Sequence, residues 1–165
     1  MIINRSIHLR TSIKPGDVEA IISLHGTIYA QEYGFDTTFE HYVATPLRQF
    51  ASSHTLREII WVVEQGGSIK GCIAVVKSDE ATAQLRWFLL HPQLRRKGIG
   101  KKLIHEAVLF VQQQGYVSVF LWTVNLLERA NRLYRTMGFQ LTEEKTHMLW
   151  GKELTEQKYE LVLEH

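Results

Sequence analysis

The segment QLRWFLLHPQLRRKGIGKKL, residues 84–103, carries three kinds of local order in succession. An apolar, strand-like run over residues 85–90 stops at His91-Pro92, since proline has no N–H to extend a ladder. A cationic turn follows, with Arg95, Arg96 and Lys97 ahead of Gly98-Ile99-Gly100 and with Lys101 and Lys102 behind it. Ile99, Leu103, Ile104, Ala107, Val108 and Val111 then recur at helical spacing, which predicts a helix with one buried face ending near Gly115. A strand, a glycine-bearing basic turn and a helix, in that order, suit a bound phosphate. The first turn of a helix has unpaired N–H groups at the positive end of its dipole, and glycine lets the backbone approach an anion closely. A merely solvated turn is the alternative that this segment alone leaves open.

Around it, 45% hydrophobic and 22% charged residues describe an ordinary globular chain. With 165 residues it is expected to form a single domain over 1–165, with 163–165 resembling an expression-tag junction. A net charge of +2 argues against a general nucleic-acid binder; the local cluster at 95–102 suits a small polyanion instead. Cys72 is the single cysteine, which excludes an intrachain disulfide and a thiolate metal cluster; it reads as a small core residue. The eight histidines are scattered without ligand spacing, so no metal is expected. No membrane-length apolar run and no signal-peptide pattern stand in the sequence, so the expectation is a cytoplasmic protein with no membrane partner.

Working outward, residues 7–11 read as a first strand, and Asp17 as the cap of a helix over 18–31. Residues 32–36 form a turn, and a second helix over 38–50 should be interrupted or bent near Pro46. Two β-rich runs, 59–64 and 68–77, flank Gln65-Gly66-Gly67 as a hairpin. Strand 81–90 leads into the opening segment, and an apolar strand over 117–123 follows its helix. Helix 126–137 stops at Gly138, and strands over 139–149 and 158–163 close the chain. The fold class is mixed α/β, a twisted sheet of about seven strands flanked by about four helices.

Several chemistries fail on spacing. Leu103 stands where a dinucleotide fingerprint needs its third glycine, and Gly98-Ile99-Gly100-Lys101 lacks the arch and hydroxyl of a Walker loop. There is no Gly-x-Ser-x-Gly elbow. Residues 84–139 do resemble the GNAT superfamily of acyl-CoA-dependent N-acetyltransferases. The resemblance rests on Arg95-Arg96-Lys97-Gly98-Ile99-Gly100 after a strand, and on Leu133-Tyr134-Arg135-Thr136-Met137-Gly138-Phe139. More loosely, residues 29–35 and Leu121-Trp122-Thr123 are similar to the acetyltransferase domain often fused behind a MarR-type regulator, although no regulator segment is read here.

The resemblance implies acetyl-CoA as co-substrate and an amine, on a small molecule or a peptide, as acceptor. It implies that Phe88, Leu89 and Leu90 pair with the pantetheine arm, and that Arg96, Lys97, Gly98, Ile99, Gly100 and Lys101 wrap the pyrophosphate. Tyr134 matches the family's general acid. Two departures stand out: Gln84 replaces the usual base glutamate, and Leu127 replaces an asparagine seven residues before the tyrosine. Glu32 is the substitute base by position, with Tyr29, Tyr33, Trp122 and Thr123 as candidate acceptor contacts; His25 and His91 are of a residue type suited to a base and rank behind it. The expected reaction is direct attack of a primary amine on acetyl-CoA in a ternary complex. A non-catalytic acyl-CoA-binding domain is the alternative, and a nucleic-acid module using the basic cluster is the weaker rival. A homodimer through late strands is also an expectation from relatives.

Overall fold

Gly66 and Gly67 both adopt positive φ, 58° and 79°, and close a two-residue hairpin. They join β2 (Ile59–Gln65) to β3 (Ser68–Lys77), as the two-glycine spacing predicts. The structure is a computed structural model describing residues 6–164. Before the hairpin come β1 (Ile7–Arg10), α1 (Asp17–Tyr33) and α2 (Thr37–Ser53). After it come β4 (Thr82–Leu90), a 3-10 turn at Pro92–Leu94, α3 (Ile99–Gln113), β5 (Ser118–Val124), α4 (Glu128–Thr136), β6 (Gln140–Leu149) and β7 (Lys152–Val162). The described residues thus hold one seven-stranded sheet, ordered β1-β2-β3-β4-β5-β7-β6, with helices on both faces.

Two local expectations are corrected. Gly16, at φ 89°, occupies the cap position of α1, and Asp17 is already helical. The Asp17 carboxylate instead accepts from the Lys14 N–H at 2.6 Å and from the Arg10 guanidinium at 2.7 and 2.9 Å, which pins α1 to β1. The second correction concerns Pro46, which lies inside one continuous helix. Proline forfeits only its own N–H, while Val43, Leu47 and Phe50 hold the helix face in the core around it. The last strand also starts earlier than read, at Lys152, because the Trp150-Gly151 turn (φ 54° and 83°) makes a tight hairpin with β6.

The sheet separates two cores. Leu103, Ile104, Ala107 and Val111 of α3 pack on Ile73, Val75, Leu85 and Val119. Ile21, Ile28 and Leu47 of α1 and α2 pack on Val62, Cys72 and Leu89 from the other side. Each such fully buried aliphatic contributes roughly 1.5–3 kcal/mol. What positions the site is the one parallel junction. β4 and β5 pair only at Thr82–Ser118, Ala83–Val119 and Gln84–Phe120, then part, while β5 stays paired with β7 as far as Val124–Glu156.

Candidate active site

Where β4 leaves β5 a cleft of about 110 Å³ opens, with Gln84 at its apex. Its β4 bank bends sharply. Two residues, Trp87 and Phe88, oppose Ile73, and Trp87 takes φ 54°. A left-handed non-glycine residue costs on the order of 1 kcal/mol, and such bulges re-aim side chains beside functional sites. The Trp87 carbonyl accepts from the Cys72 thiol at 3.0 Å, which helps hold the bend. Burial pushes that thiol up to about 12, so Cys72 is a poor nucleophile at neutral pH.

Tyr134 reaches the cleft from α4, and the sequence around it explains how. Phe139 N–H bonds the Tyr134 carbonyl at 3.1 Å and Gly138 N–H bonds the Arg135 carbonyl at 3.1 Å, with Gly138 at φ 98°. This is a Schellman stop, in which the residue after the glycine packs back on the last turn; the Phe139 and Tyr134 rings lie 6.2 Å apart. One turn earlier, Asn131 accepts from the Thr123 hydroxyl at 2.7 Å and donates to the Val124 carbonyl at 3.0 Å, fastening α4 to β5. Burial, and secondarily the Tyr29 phenol, pushes the Tyr134 hydroxyl above its ordinary range, so it stays protonated and able to donate.

Beside Phe88, past the end of β4, lies the cationic turn. The backbone N–H groups of Arg96, Lys97, Gly98, Ile99, Gly100 and Lys101 have no acceptor among the described residues; the first helical bond is Lys102 to the Gly98 carbonyl at 3.1 Å. Gly98 takes φ 78° and Arg96 φ 63°, curling these amides into a concavity that fits a phosphate group. A Cβ on Gly100 would come within 3.3 Å of Phe88 and 3.4 Å of Leu133, so glycine lets α3 start tight against β4 and α4. Phe88 lines the cleft, whereas Leu89 and Leu90 are buried beneath it.

On the far side of β4 the walls are aromatic. Tyr29, Phe35, Phe39, Tyr42 and Trp150 stack at ring separations between 4.7 and 6.4 Å. Trp122 and Thr123 line the same space, and Lys145 places its ammonium 4.8 Å from the Trp122 ring centre. Tyr33 does not reach it and stacks behind Tyr29 at 5.7 Å. Glu32 is directed elsewhere. Its carboxylate accepts from the Arg95 guanidinium, 2.9 Å at one oxygen, and Arg95 also donates to the Leu90 carbonyl at 3.1 Å. Arg95 therefore ties the end of α1 to the cationic turn, a link across 63 positions that no local pattern announces. His25, set aside on sequence, is buried in the wall, with Nδ1 2.8 Å from the Ile21 carbonyl. Arg86 and Glu156 also line the cleft; both sit in strands where a lone charge reads as solvent-facing.

The acetyltransferase (GNAT) domain model matches residues 57–141, which span the β2–β3 hairpin, the β4 and β5 banks of the cleft and the Schellman stop. The chain belongs to the GNAT acetyltransferase family. Among its relatives, an uncharacterised N-acetyltransferase of Schizosaccharomyces pombe is 29% identical over 123 residues, 72% of this chain and 74% of that protein. N-acetyltransferase 8F1 of Rattus norvegicus is 33% identical over 68% of this chain, which spans 56% of the rat protein's length. The GNAT fold recurs in an N-acetyltransferase from Staphylococcus aureus, with TM-score 0.77 and 19% identity over 96% of this chain and 99% of that one. It recurs too in a GNAT family acetyltransferase from Elizabethkingia anophelis with acetyl-CoA bound, with TM-score 0.63 and 15% identity over 97% and 100%. Against these the seven strands and four helices are those of a GNAT domain.

Proposed function

We propose that this GNAT domain transfers the acetyl group of acetyl-CoA to a primary amine by direct attack. The carrying observation is that six backbone amides, 96–101, lack an acceptor among the described residues and adjoin Phe88 through Gly100, while Phe88 and the Tyr134 phenol line the cleft beside them. An anion site at the turn and an acid in the adjoining cleft suit an acyl thioester laid along the splayed strands. The β4 edge from Phe88 to Leu90 would pair with the pantetheine arm, and Arg96 to Lys101 would take the pyrophosphate. Side-chain charge at the turn adds less than the amides because exposed cations are screened.

Within this reading the neutral amine enters from the aromatic side and attacks the thioester carbon, polarised by a backbone N–H near Leu90. The carbon–nitrogen bond forms, the carbon–sulfur bond breaks, and Tyr134 gives its proton to the departing sulfur. A thiol is a fair leaving group, so the acid need contribute only modestly. With the Cys72 thiol buried and high in pKa, an acyl-cysteine intermediate is disfavoured. Gln84 at the apex is an amide and takes no proton, and Glu32 is held by Arg95, so the proton from nitrogen leaves by another group. The reading carries a cytoplasmic setting and a homodimer formed along β6, which is exposed over nearly its whole length.

Thiol release from acetyl-CoA across an amine library tests the proposal. Amine-dependent release is the expected result. Tight acetyl-CoA binding with no release from any amine would replace it by a non-catalytic acyl-CoA-binding domain.

A further inference from the structure

The acceptor side of the cleft holds two opposite charges on its two banks. Arg86 projects from β4, with its guanidinium over the Trp87 ring at 4.9 Å and the Tyr42 ring at 6.0 Å. It is half-buried and has no carboxylate partner among the described residues. Glu156 lines the same cleft from β7, directly across from Val124, where β5 ends. Its carboxylate bonds His147 Nε2, and Lys145 is its cross-strand neighbour on β6. Two more wall residues carry a buried polar atom without a partner among the described residues, His25 at Nε2 and Trp87 at Nε1. Buried polar groups are normally satisfied by protein, water or ligand, so these two atoms suit a polar occupant of the cleft. A guanidinium stacked on rings is an ordinary surface arrangement; one left unpaired in an aromatic cleft that a carboxylate also lines suits a dipolar ligand.

Resting on the acetyltransferase reading, we infer that the acceptor is a free α-amino acid with an apolar side chain, its carboxylate held by Arg86 and its amino group by Glu156. The rings of Tyr42 and Trp150 then enclose the side chain. Glu156 supplies what Gln84 lacks: it takes one proton from the incoming ammonium, and His147, 43% exposed in its side chain, passes that proton to solvent. The neutral nitrogen attacks the thioester carbon and the carbon–sulfur bond breaks. The nitrogen's second lost proton balances the one Tyr134 gives to sulfur, so the products are the N-acetyl amino acid, free CoA thiol and one released proton.

The experiment uses the full chain with acetyl-CoA and follows thiol release with L-leucine, L-methionine and L-phenylalanine, each beside its decarboxylated amine. Hydrogen bonds to a charged group are worth about 1.5–3 kcal/mol, so each amino acid should exceed its amine in kcat/KM by roughly tenfold to a hundredfold. Arg86→Met should bring that ratio near one, mainly through KM, and Arg86→Lys should keep part of it. Glu156→Gln should lower kcat for the amino acids and Glu156→Asp should restore part of the loss. Acetyl-CoA affinity by calorimetry reports folding of each variant, since both residues lie away from the amide turn. Amines that react as well as the amino acids, or a ratio that Arg86→Met leaves unaltered, overturn the inference while thiol release keeps the acetyltransferase reading. Thiol release from no acceptor at all overturns both.

Discussion

Tyr134 is placed by backbone chemistry before it does any chemistry of its own. The Schellman bonds from Gly138 and Phe139 end α4, and the Asn131–Thr123 bond fixes its start against β5. Removing the hydroxyl leaves all of these in place, so Tyr134→Phe should fold normally and bind acetyl-CoA with near-unchanged affinity. Its kcat should fall by about a hundredfold, the low end for a general acid, because the leaving group is a thiol. Single-turnover kinetics beside calorimetry reads the two effects apart. Glu32→Gln should leave the pH–rate profile unaltered, since that carboxylate serves Arg95; a lost acidic limb would reinstate Glu32 as the base. His25 makes a prediction about stability. Burial drives its pKa down to about 4, only partly offset by its bond to the Ile21 carbonyl. The unfolded chain therefore takes up a proton near pH 6.5 while the native state stays neutral. The stability contribution is complete above about pH 6.5 and is lost progressively as pH falls towards 4, on the order of 3 kcal/mol. Thermal melts of wild type and His25→Phe from pH 7.5 to 4 check this: the variant's melting temperature should fall less steeply.

At the scale of elements, the cationic turn was the most legible part of the chain. Its glycines, its charges and the helical period behind them lie within twenty positions, and each acts on its immediate neighbours. The Gly138 stop was legible for the same reason. The aromatic wall was less so, because Trp150 comes to Phe35 and Phe39 only when the β6–β7 turn docks on the loop between α1 and α2, where Asp36 N–H bonds the Trp150 carbonyl at 3.1 Å. Glu32 read as the substitute base because its partner Arg95 lies 63 residues on, and Asp17 read as a cap because its part-buried bond to Arg10 is tertiary. The turn itself carries a direct test. Gly98→Glu puts a Cβ on a residue at φ 78° and a negative charge among the amides proposed to take the pyrophosphate. Acetyl-CoA binding should become undetectable by calorimetry while the far-ultraviolet circular dichroism stays native-like.

For the whole molecule, the sheet and its two cores followed from alternation and helical period, so the fold class was in reach of the sequence. Which strands would part was not, since the shared apolar runs of β4 and β5 give no sign that pairing ends at Gln84–Phe120. The same gap makes the ligand a structural component. A co-substrate held by the amides of 96–101 and the edge of β4 stabilises only the native state, by about 2.7 kcal/mol at a hundred times its dissociation constant. Hydrogen exchange should slow along Phe88 to Gly100 on adding acetyl-CoA, and the melting temperature should rise with its concentration. No protection in that segment would move the cofactor site elsewhere.

The brief β4–β5 ladder has a mechanical side as well. Strands β1–β4 form one plate and β5–β7 another, and in the sheet they are joined by three residue pairs in parallel shear. Loaded along the strands, a sheet yields first where its rungs are fewest. This seam should be the first to give under force, and a thioester lodged between the plates would act as a rivet, raising the rupture force of the very joint whose opening creates the room for it.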